Sequence, residues 1–336
     1  MTEPTTTAPE SSPSPSRSPG WLRPALTAFG PVAGLVAVCV LFAALRFTTF
    51  VTGDNAAIIL QQTAVIGVAA LGMTPVIIAG GIDLSAGSVI ALGTVVIALL
   101  LQRGASPLLA ALGGIGASAL CGACSGLLIT RLRLLPFVVT LGMMGVLRGA
   151  AKGLAGEQPV YPDETWLSRL MQLGGRGRLA PGVWLMLGLG ALLALALRYT
   201  RFGRHVFAVG SSEPTARLCG VPVQRVKLGV YTLGGAFAGI GALLQFAYLT
   251  GGDPTTAVGL ELDVIAAVVI GGASLAGGQG TVIGTLVGAL IMSVVANGCT
   301  KIGLSNWVQE IVTGGIIVAA VLLDHVRRRD ARDDHF

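Results

Sequence analysis

Long apolar stretches separated by short charged clusters set the pattern of this chain. Stretches free of Asp, Glu, Lys and Arg cover 24–45, 55–82, 84–102, 104–130, 179–197, 228–252 and 264–300. A helix needs roughly 20 apolar residues to cross the hydrocarbon core of a bilayer, and several stretches reach that length. The pattern predicts membrane helices over 25–46, 56–79, 88–102, 107–130, 136–151, 181–198, 228–250, 259–275, 281–299 and 307–323. The third, fifth and eighth are short, which marks them as candidates for broken or re-entrant segments. The fold class expected is an all-α integral membrane protein of about ten transmembrane helices in the lipid bilayer.

Composition sharpens this. Of 336 residues, 53% are hydrophobic and 11% charged; a soluble domain carries about 25% charged residues, so a water-soluble enzyme is disfavoured. The 49 glycines suit membrane helices that pack backbone to backbone. An outer-membrane barrel would need segments of about 10 residues with alternating polarity, and none is visible. The cysteines, Cys39, Cys121, Cys124, Cys219 and Cys299, form no disulfide framework. Cys121 and Cys124 make a lone C-x-x-C inside an apolar run without a second pair or a nearby His, and read as buried small side chains. His205, His325 and His335 lie outside the apolar runs, no H-E-x-x-H occurs, and no metal site is expected. No G-x-x-x-x-G-K-[ST] occurs either, so the chain is expected to bind no ATP or other cofactor of its own.

Residues 1–22 are rich in Ser, Thr and Pro and read as a disordered cytoplasmic tail without a secretory h-region. The membrane domain is expected over 23–325, with a cytoplasmic loop over 199–227, followed by a charged cytoplasmic tail over 326–336. Basic residues set the orientation. The loop carries Arg201, Arg204, Arg217, Arg225 and Lys227, and the tail Arg327, Arg328, Arg329 and Arg332. Arg46, Arg103, Arg148, Lys152, Arg169, Arg176, Arg178 and Lys301 fall on the other side. Both termini are therefore expected in the cytoplasm. The net charge of +6 is assigned to these loops, with no nucleic-acid partner.

An internal repeat aligns 80–94 with 271–285, matching Gly80/Gly271, Gly81/Gly272, Leu84/Leu275, Gly87/Gly278, Gly93/Gly284 and Thr94/Thr285. Duplicated halves with glycine-interrupted segments in corresponding positions are how many transporters build a midplane pathway. Within the first copy, Asp83 and Ser85 supply polar groups where the flanks are apolar. An ionisable residue there is a functional candidate, and Asp83 can equally cap the following helix. The second copy, 271–280, is too glycine-rich for a straight helix and reads as a hinge beside a pathway or as a turn between packed helices. Gly80, Gly81, Asp83, Ser85, Gly271, Gly272 and the intramembrane Asn297 are the pathway candidates. Gln61, Gln62 and Gln309 are further polar residues in apolar runs, suited to interhelical hydrogen bonds.

The loop 199–223 holds helix signals in register: Ser211 or Ser212 as cap, Glu213 and Pro214 in the first turn, Gly220 as stop. It reads as a short helix docking on another protein, or as a solvated basic connector. Glu261 and Asp263, two apart, do not share a helix face; they suit a helix N-terminus better than paired-carboxylate catalysis.

These segments together resemble the membrane-spanning permease of ribose-type ABC sugar importers. The matching stretches are 74–88 with its G-G-x-D-L-S, 136–142, the loop around 213–223, 261–278, and the final helix ending in Asp324. The resemblance covers roughly 25–325 and implies two pseudo-repeated halves, and a transport subunit with no catalytic residues. It implies as partners a cytoplasmic ABC ATPase that binds the ATP, an extracytoplasmic sugar-binding protein, and a second permease copy, identical or paralogous. By the same resemblance, Glu213, Ala216, Arg217 and Gly220 sit in the coupling helix, and the location is the bacterial plasma membrane. Ala273 departs from the Thr that is commoner there. Competing readings are a permease for another small solute, such as a branched amino acid or cobalamin, and an ion-coupled secondary transporter.

Overall fold

The computed structural model describes the backbone of residues 22–173 and 179–333, and side chains over 30–173 and 179–322. The N-terminal tail up to residue 21 lies outside the described residues, and for the charged tail over 326–336 only backbone as far as Asp333 is described.

The described residues are helical almost throughout. In chain order the helices are α1 (Leu22–Phe50), α2 (Gly53–Ile78), α3 (Ala86–Gln102), α4 (Pro107–Arg131), α5 (Pro136–Ala155), α6 (Pro181–Tyr199), α7 (Arg201–Ser211), α8 (Glu213–Leu218), α9 (Val223–Leu249), α10 (Leu260–Ile270), α11 (Val282–Ile302) and α12 (Asn306–Asp333). Seven are long and apolar enough to cross a membrane: α1 from Gly30 onward, α2, α4, α5, α6, α9 and α11. Each expected membrane helix has a counterpart. α9 begins at Val223, five residues ahead of the charge-free run, because Arg225 and Lys227 ride on its first turns at the bundle's end. α5 runs to Ala155 and is a full span, so its expected shortness is corrected.

α2 and α9 form the centre of the bundle. Tyr231, Leu71, Ile77, Ile78 and Leu244 are among the largest fully buried side chains. α9 approaches α4 at backbone distance: a Cβ on Gly235 would lie 2.4 Å from Ser118 O and 3.0 Å from Gly122 Cα. Such small-residue contacts replace the hydrophobic drive that lipid removes. α1 stands at the periphery, against α11. The C-x-x-C is not buried as expected: Cys124 faces outward from α4 and Cys121 is half-covered.

α3 and α10 start inside the bundle, not at its ends. A Cβ on Gly241 would lie 3.6 Å from Ile90 and 3.8 Å from Val65 O, so Ile90 lies level with the middle of α2. α3 begins only four residues before Ile90, about 6 Å lower at helical rise. Likewise Leu260, the first residue of α10, lies at the level of Val65 and Ile66. The two starts adjoin: a Cβ on Gly87 would lie 2.4 Å from Ala257 O and 2.2 Å from Glu261 Oε2. Backbone leaves the helix at membrane depth only where protein surrounds it or it lines a cavity. The connection into α3 keeps Ala79, Gly81, Asp83 and Ser85 buried, whereas the one into α10 buries Gly251, Gly252 and Pro254 and exposes Thr255 and Val258.

Candidate transport and coupling site

The first connection is 79–85. α2 ends in a glycine-stopped turn: Gly81 N–H donates to Val76 O and Gly80 N–H to Ile77 O, both at 2.9 Å, with Gly80 at φ +78°. Past it, the chain runs unwound to α3. The Asp83 carboxylate is buried, and its Oδ1 accepts from Ser85 N–H at 2.8 Å and from the Ser85 hydroxyl. Asp83 therefore shapes the approach to α3, while Ser85 occupies the N-cap without a side-chain cap bond. Tyr231, which no sequence pattern singled out, donates to Ile82 O at 3.4 Å, and Thr140 of α5 donates to the same oxygen at 3.2 Å. Asp83→Ala is expected to lower the midpoint of thermal unfolding in detergent and to reduce uptake. The loss of bonds to a charged acceptor costs about 1.5–3 kcal/mol. An unchanged midpoint would make the carboxylate dispensable.

The second connection is 271–281. Gly272 takes φ +91°, its N–H donating to Val269 O and that of Ala273 to Val268 O, at 2.9 and 3.1 Å. This is the turn that ends α2, so Gly80 corresponds to Gly272 and the aligned pairing with Gly271 is off by one. The correspondence ends with the turn. α3 starts six residues after Gly80 and α11 ten after Gly272; Gly87 is helical while Gly278 is still in the loop. Gly271 instead serves α11, where a Cβ would lie 2.4 Å from Gly284 O.

The two glycine connections meet at the end of α7. Gly278 N–H donates to Ile78 O at 2.8 Å. A Cβ on Gly210 would lie 1.7 Å from that oxygen and 2.6 Å from Gly278 N, and one on Gly277 would lie 2.8 Å from Gly210 O. Three backbones from distant parts of the chain share this junction, and Gly210, absent from the candidate residues, is its keystone.

The loop beyond α6 is two helices, not one. Thr200 caps α7, accepting from Gly203 N–H at 3.2 Å; Ser212 caps α8, accepting from Thr215 N–H at 3.4 Å. Glu213 holds α8 to α9 through Lys227 at 2.6 Å, and pairs with Arg217 at 2.9 Å. Lys227 keeps the Glu213 carboxyl below its usual range despite partial burial, with Arg217 adding to the effect. A depressed carboxylate stabilises above its unfolded value, so this clamp is present at neutral pH and lost as pH falls through the lowered value. Gly220 takes φ +80° at the stop. Ala216 turns inward and is buried, whereas Leu218 is 89% exposed at the tip.

A third feature lies in the opposite half of the bundle. Gln61, Gln62 and Gln309 line one cavity of about 310 Å³, together with Gln245, Ser293 and Thr300, which the sequence did not single out. Asn297 is buried beside this wall on α11 and is not part of it; its Oδ1 has no partner among the described residues. The connection 250–259 passes nearby, held by Arg148 of α5, whose Nη1 donates to Pro254 O at 2.9 Å and Thr256 O at 2.6 Å. Gln245 donates to Thr256 Oγ1 at 2.8 Å. Glu261 and Asp263 occupy the first turn of α10, as their spacing suggested.

Interrupted helices inside an apolar bundle, with an amphipathic helix pair at its basic end, define a multi-pass membrane transport subunit. The family described as "branched-chain amino acid transport system / permease component" matches residues 55–321, and the chain belongs to it. The ribose import permease protein RbsC of Escherichia coli (strain K12) is 39% identical over 300 residues, covering 88% of this chain and 93% of that one. RbsC of Bacillus subtilis (strain 168) is 37% identical over 304 residues, covering 88% and 92%. The L-arabinose ABC transporter permease protein AraH of Azospirillum brasilense is 37% identical over 305 residues, covering 89% of each chain. An inward-facing structure of a transporter assigned to the metal-chelate ABC type matches in fold, with TM-score 0.50 and 17% identity over 90% of this chain and 99% of that one. The chain is thus an ABC permease subunit of the plasma membrane and not an enzyme, and it works with ATPase and binding-protein partners.

Proposed function

We propose that this chain forms the translocation pathway for a neutral, ribose-like monosaccharide delivered by an extracytoplasmic binding protein. ATP is bound and hydrolysed by a separate ATPase that docks on α8. The basic end of the bundle faces the cytoplasm, as do both termini. The observation that carries the reading is α8 itself: capped, clamped to α9, offering an exposed leucine, and joined through α7 to the junction of both glycine connections. The sugar assignment draws on relatives whose names specify ribose and L-arabinose. A second permease copy, identical or paralogous, fits the outward face of α5. Gly145, Gly149 and Gly153 recur there at four-residue spacing, with nothing within 4 Å of a Cβ on any of them.

The docking surface is Leu218 with Pro214, Thr215 and Arg217, while buried Ala216 seats the helix from within. Leu218→Glu is expected to abolish copurification of the ATPase in a two-plus-two complex and to cut uptake into proteoliposomes at least about tenfold, the equivalent of a burial loss near 1.5 kcal/mol. Gln158→Glu, exposed on another loop, is the control. Wild-type copurification and uptake in Leu218→Glu would show that α8 is no docking helix.

A further inference from the structure

We propose that the corner between α6 and α7 binds the headgroup of one anionic phospholipid, with Arg201 and Arg204 as the residues that hold its phosphate. The corner is tight. A Cβ on Gly203 would lie 2.0 Å from Leu197 O, so the first turn of α7 folds back onto the last turn of α6. From there α7 runs inward and ends at Gly210, against Ile78 and Gly278. Its start stands at the edge of the bundle, beside the exposed outer face of α6, and its end at the centre.

Charge at this corner runs against the rule for helix ends. A helix N-terminus carries about half a positive charge and favours Asp or Glu in its first turn. α7 has no acid there and begins instead with Arg201 and Arg204, three apart on one helix face and both exposed. Arg198, exposed in the last turn of α6, adds a third cation. The loop 199–227 holds a single carboxylate, Glu213, and Arg217 and Lys227 already share it. Arg201 and Arg204 have no acceptor and no carboxylate partner among the described residues. An anion bound from outside relieves the conflict, and such breaches of local rules are expected at functional sites.

The membrane supplies that anion. Tyr199 ends a 19-residue apolar span and is 65% exposed, with the Arg198 guanidinium 5.5 Å from its ring centroid. An aromatic ring at the end of a span sits at headgroup level. Leu185, Leu192, Leu195 and Tyr199 are exposed and recur at helical spacing, so one apolar face of α6 leads to the arginines. A phospholipid matches both parts, with its acyl chains along that face and its phosphate in the corner. The guanidinium fork takes phosphate oxygens bidentately. Inorganic phosphate would leave the apolar face unused. Lipid bound here braces the outer end of the helix whose inner end carries the Gly210 junction.

The test uses the purified permease–ATPase complex in detergent, with phosphatidylglycerol and phosphatidylcholine in equal amounts as probes. Native mass spectrometry reads the lipid retained. Wild type is expected to keep phosphatidylglycerol on each permease chain in preference to phosphatidylcholine. Arg201→Gln combined with Arg204→Gln is expected to weaken that binding about thirtyfold, the equivalent of about 2 kcal/mol for two basic side chains at an anionic lipid surface. Arg204→Gln alone should weaken it about fivefold, and carries the test where the double variant fails to assemble. Arg133→Gln, on another exposed arginine of the basic end, should retain lipid like wild type. Equal retention in wild type and double variant would overturn the proposal, as would a wild type that does not distinguish the two lipids. Displacement of phosphatidylglycerol by millimolar inorganic phosphate would overturn it in favour of a soluble anion. A double variant that loses its ATPase in lipid-free detergent would overturn it in favour of an ATPase contact. No readout involves the transported solute, so the monosaccharide reading stands or falls separately.

Discussion

Alanine at position 210 is expected to leave no folded, transport-competent permease. The added Cβ would sit 1.7 Å from Ile78 O, 2.6 Å from Gly278 N and 2.8 Å from the Ile78 carbonyl carbon. Every one of these atoms is backbone, so no rotamer change relieves the clash, and the 2.8 Å bond from Gly278 to Ile78 lies in its path. Overpacking commonly costs 1–3 kcal/mol when side chains can shift, and about that much or more is expected where only main chain can move. Expression level, size-exclusion profile in detergent and uptake measure the outcome. Gly188→Ala on α6 is the matched control: nothing lies within 4 Å of its Cβ. Alanine there gains helix propensity, up to about 1 kcal/mol. If Gly210→Ala behaves like Gly188→Ala, the three backbones do not meet as described.

Arg148→Met should destabilise the chain nearly as much. The guanidinium is half-buried on α5 and bridges Pro254 O and Thr256 O. Bonds to a charged donor are worth about 1.5–3 kcal/mol each, and their loss strands two carbonyls within a membrane domain. The segment they hold includes Ala257 at φ +57° and Gly259 at φ +81°, a conformation sustained by its surroundings. Arg148→Met is expected to lower the unfolding midpoint and to abolish uptake, with Arg148→Lys restoring part of each, since an ammonium lacks the planar fork. Arg103→Met, on an exposed residue, should change neither. An unaltered midpoint in Arg148→Met would remove the anchor from the account.

Much of this architecture is local and was legible. Charge-free runs located α1 to α4, α6, α9 and α11 because lipid imposes its condition residue by residue along each span. α5 and α12, which carry Arg148, Lys152 and Glu310, were placed by shorter apolar stretches. Ser212, Glu213 and Gly220 announced α8 because caps and stops are read within a few residues. α7 was missed. Its alternation of Arg201, Arg204 and His205 with Val206 and Val209 is amphipathic, yet it sits inside a stretch whose charge count marked it as loop.

By itself, then, the sequence determined the class, the spans, the basic end and the end of α2 before Gly80, each a signal carried by neighbours in the chain. The helix expected over 259–275 runs through Gly272, and only the structure ends α10 at Ile270. The tertiary structure alone decided that Gly210 wedges between Ile78 and Gly278, that Ala216 turns in while Leu218 turns out, and that Arg148 reaches across to Pro254. It also gathered Gln61, Gln62, Gln245 and Gln309 around one cavity. The physical reason is that contacts between backbones leave no side-chain signature. Polar groups far apart along the chain come to line one wall only when packing brings their helices together.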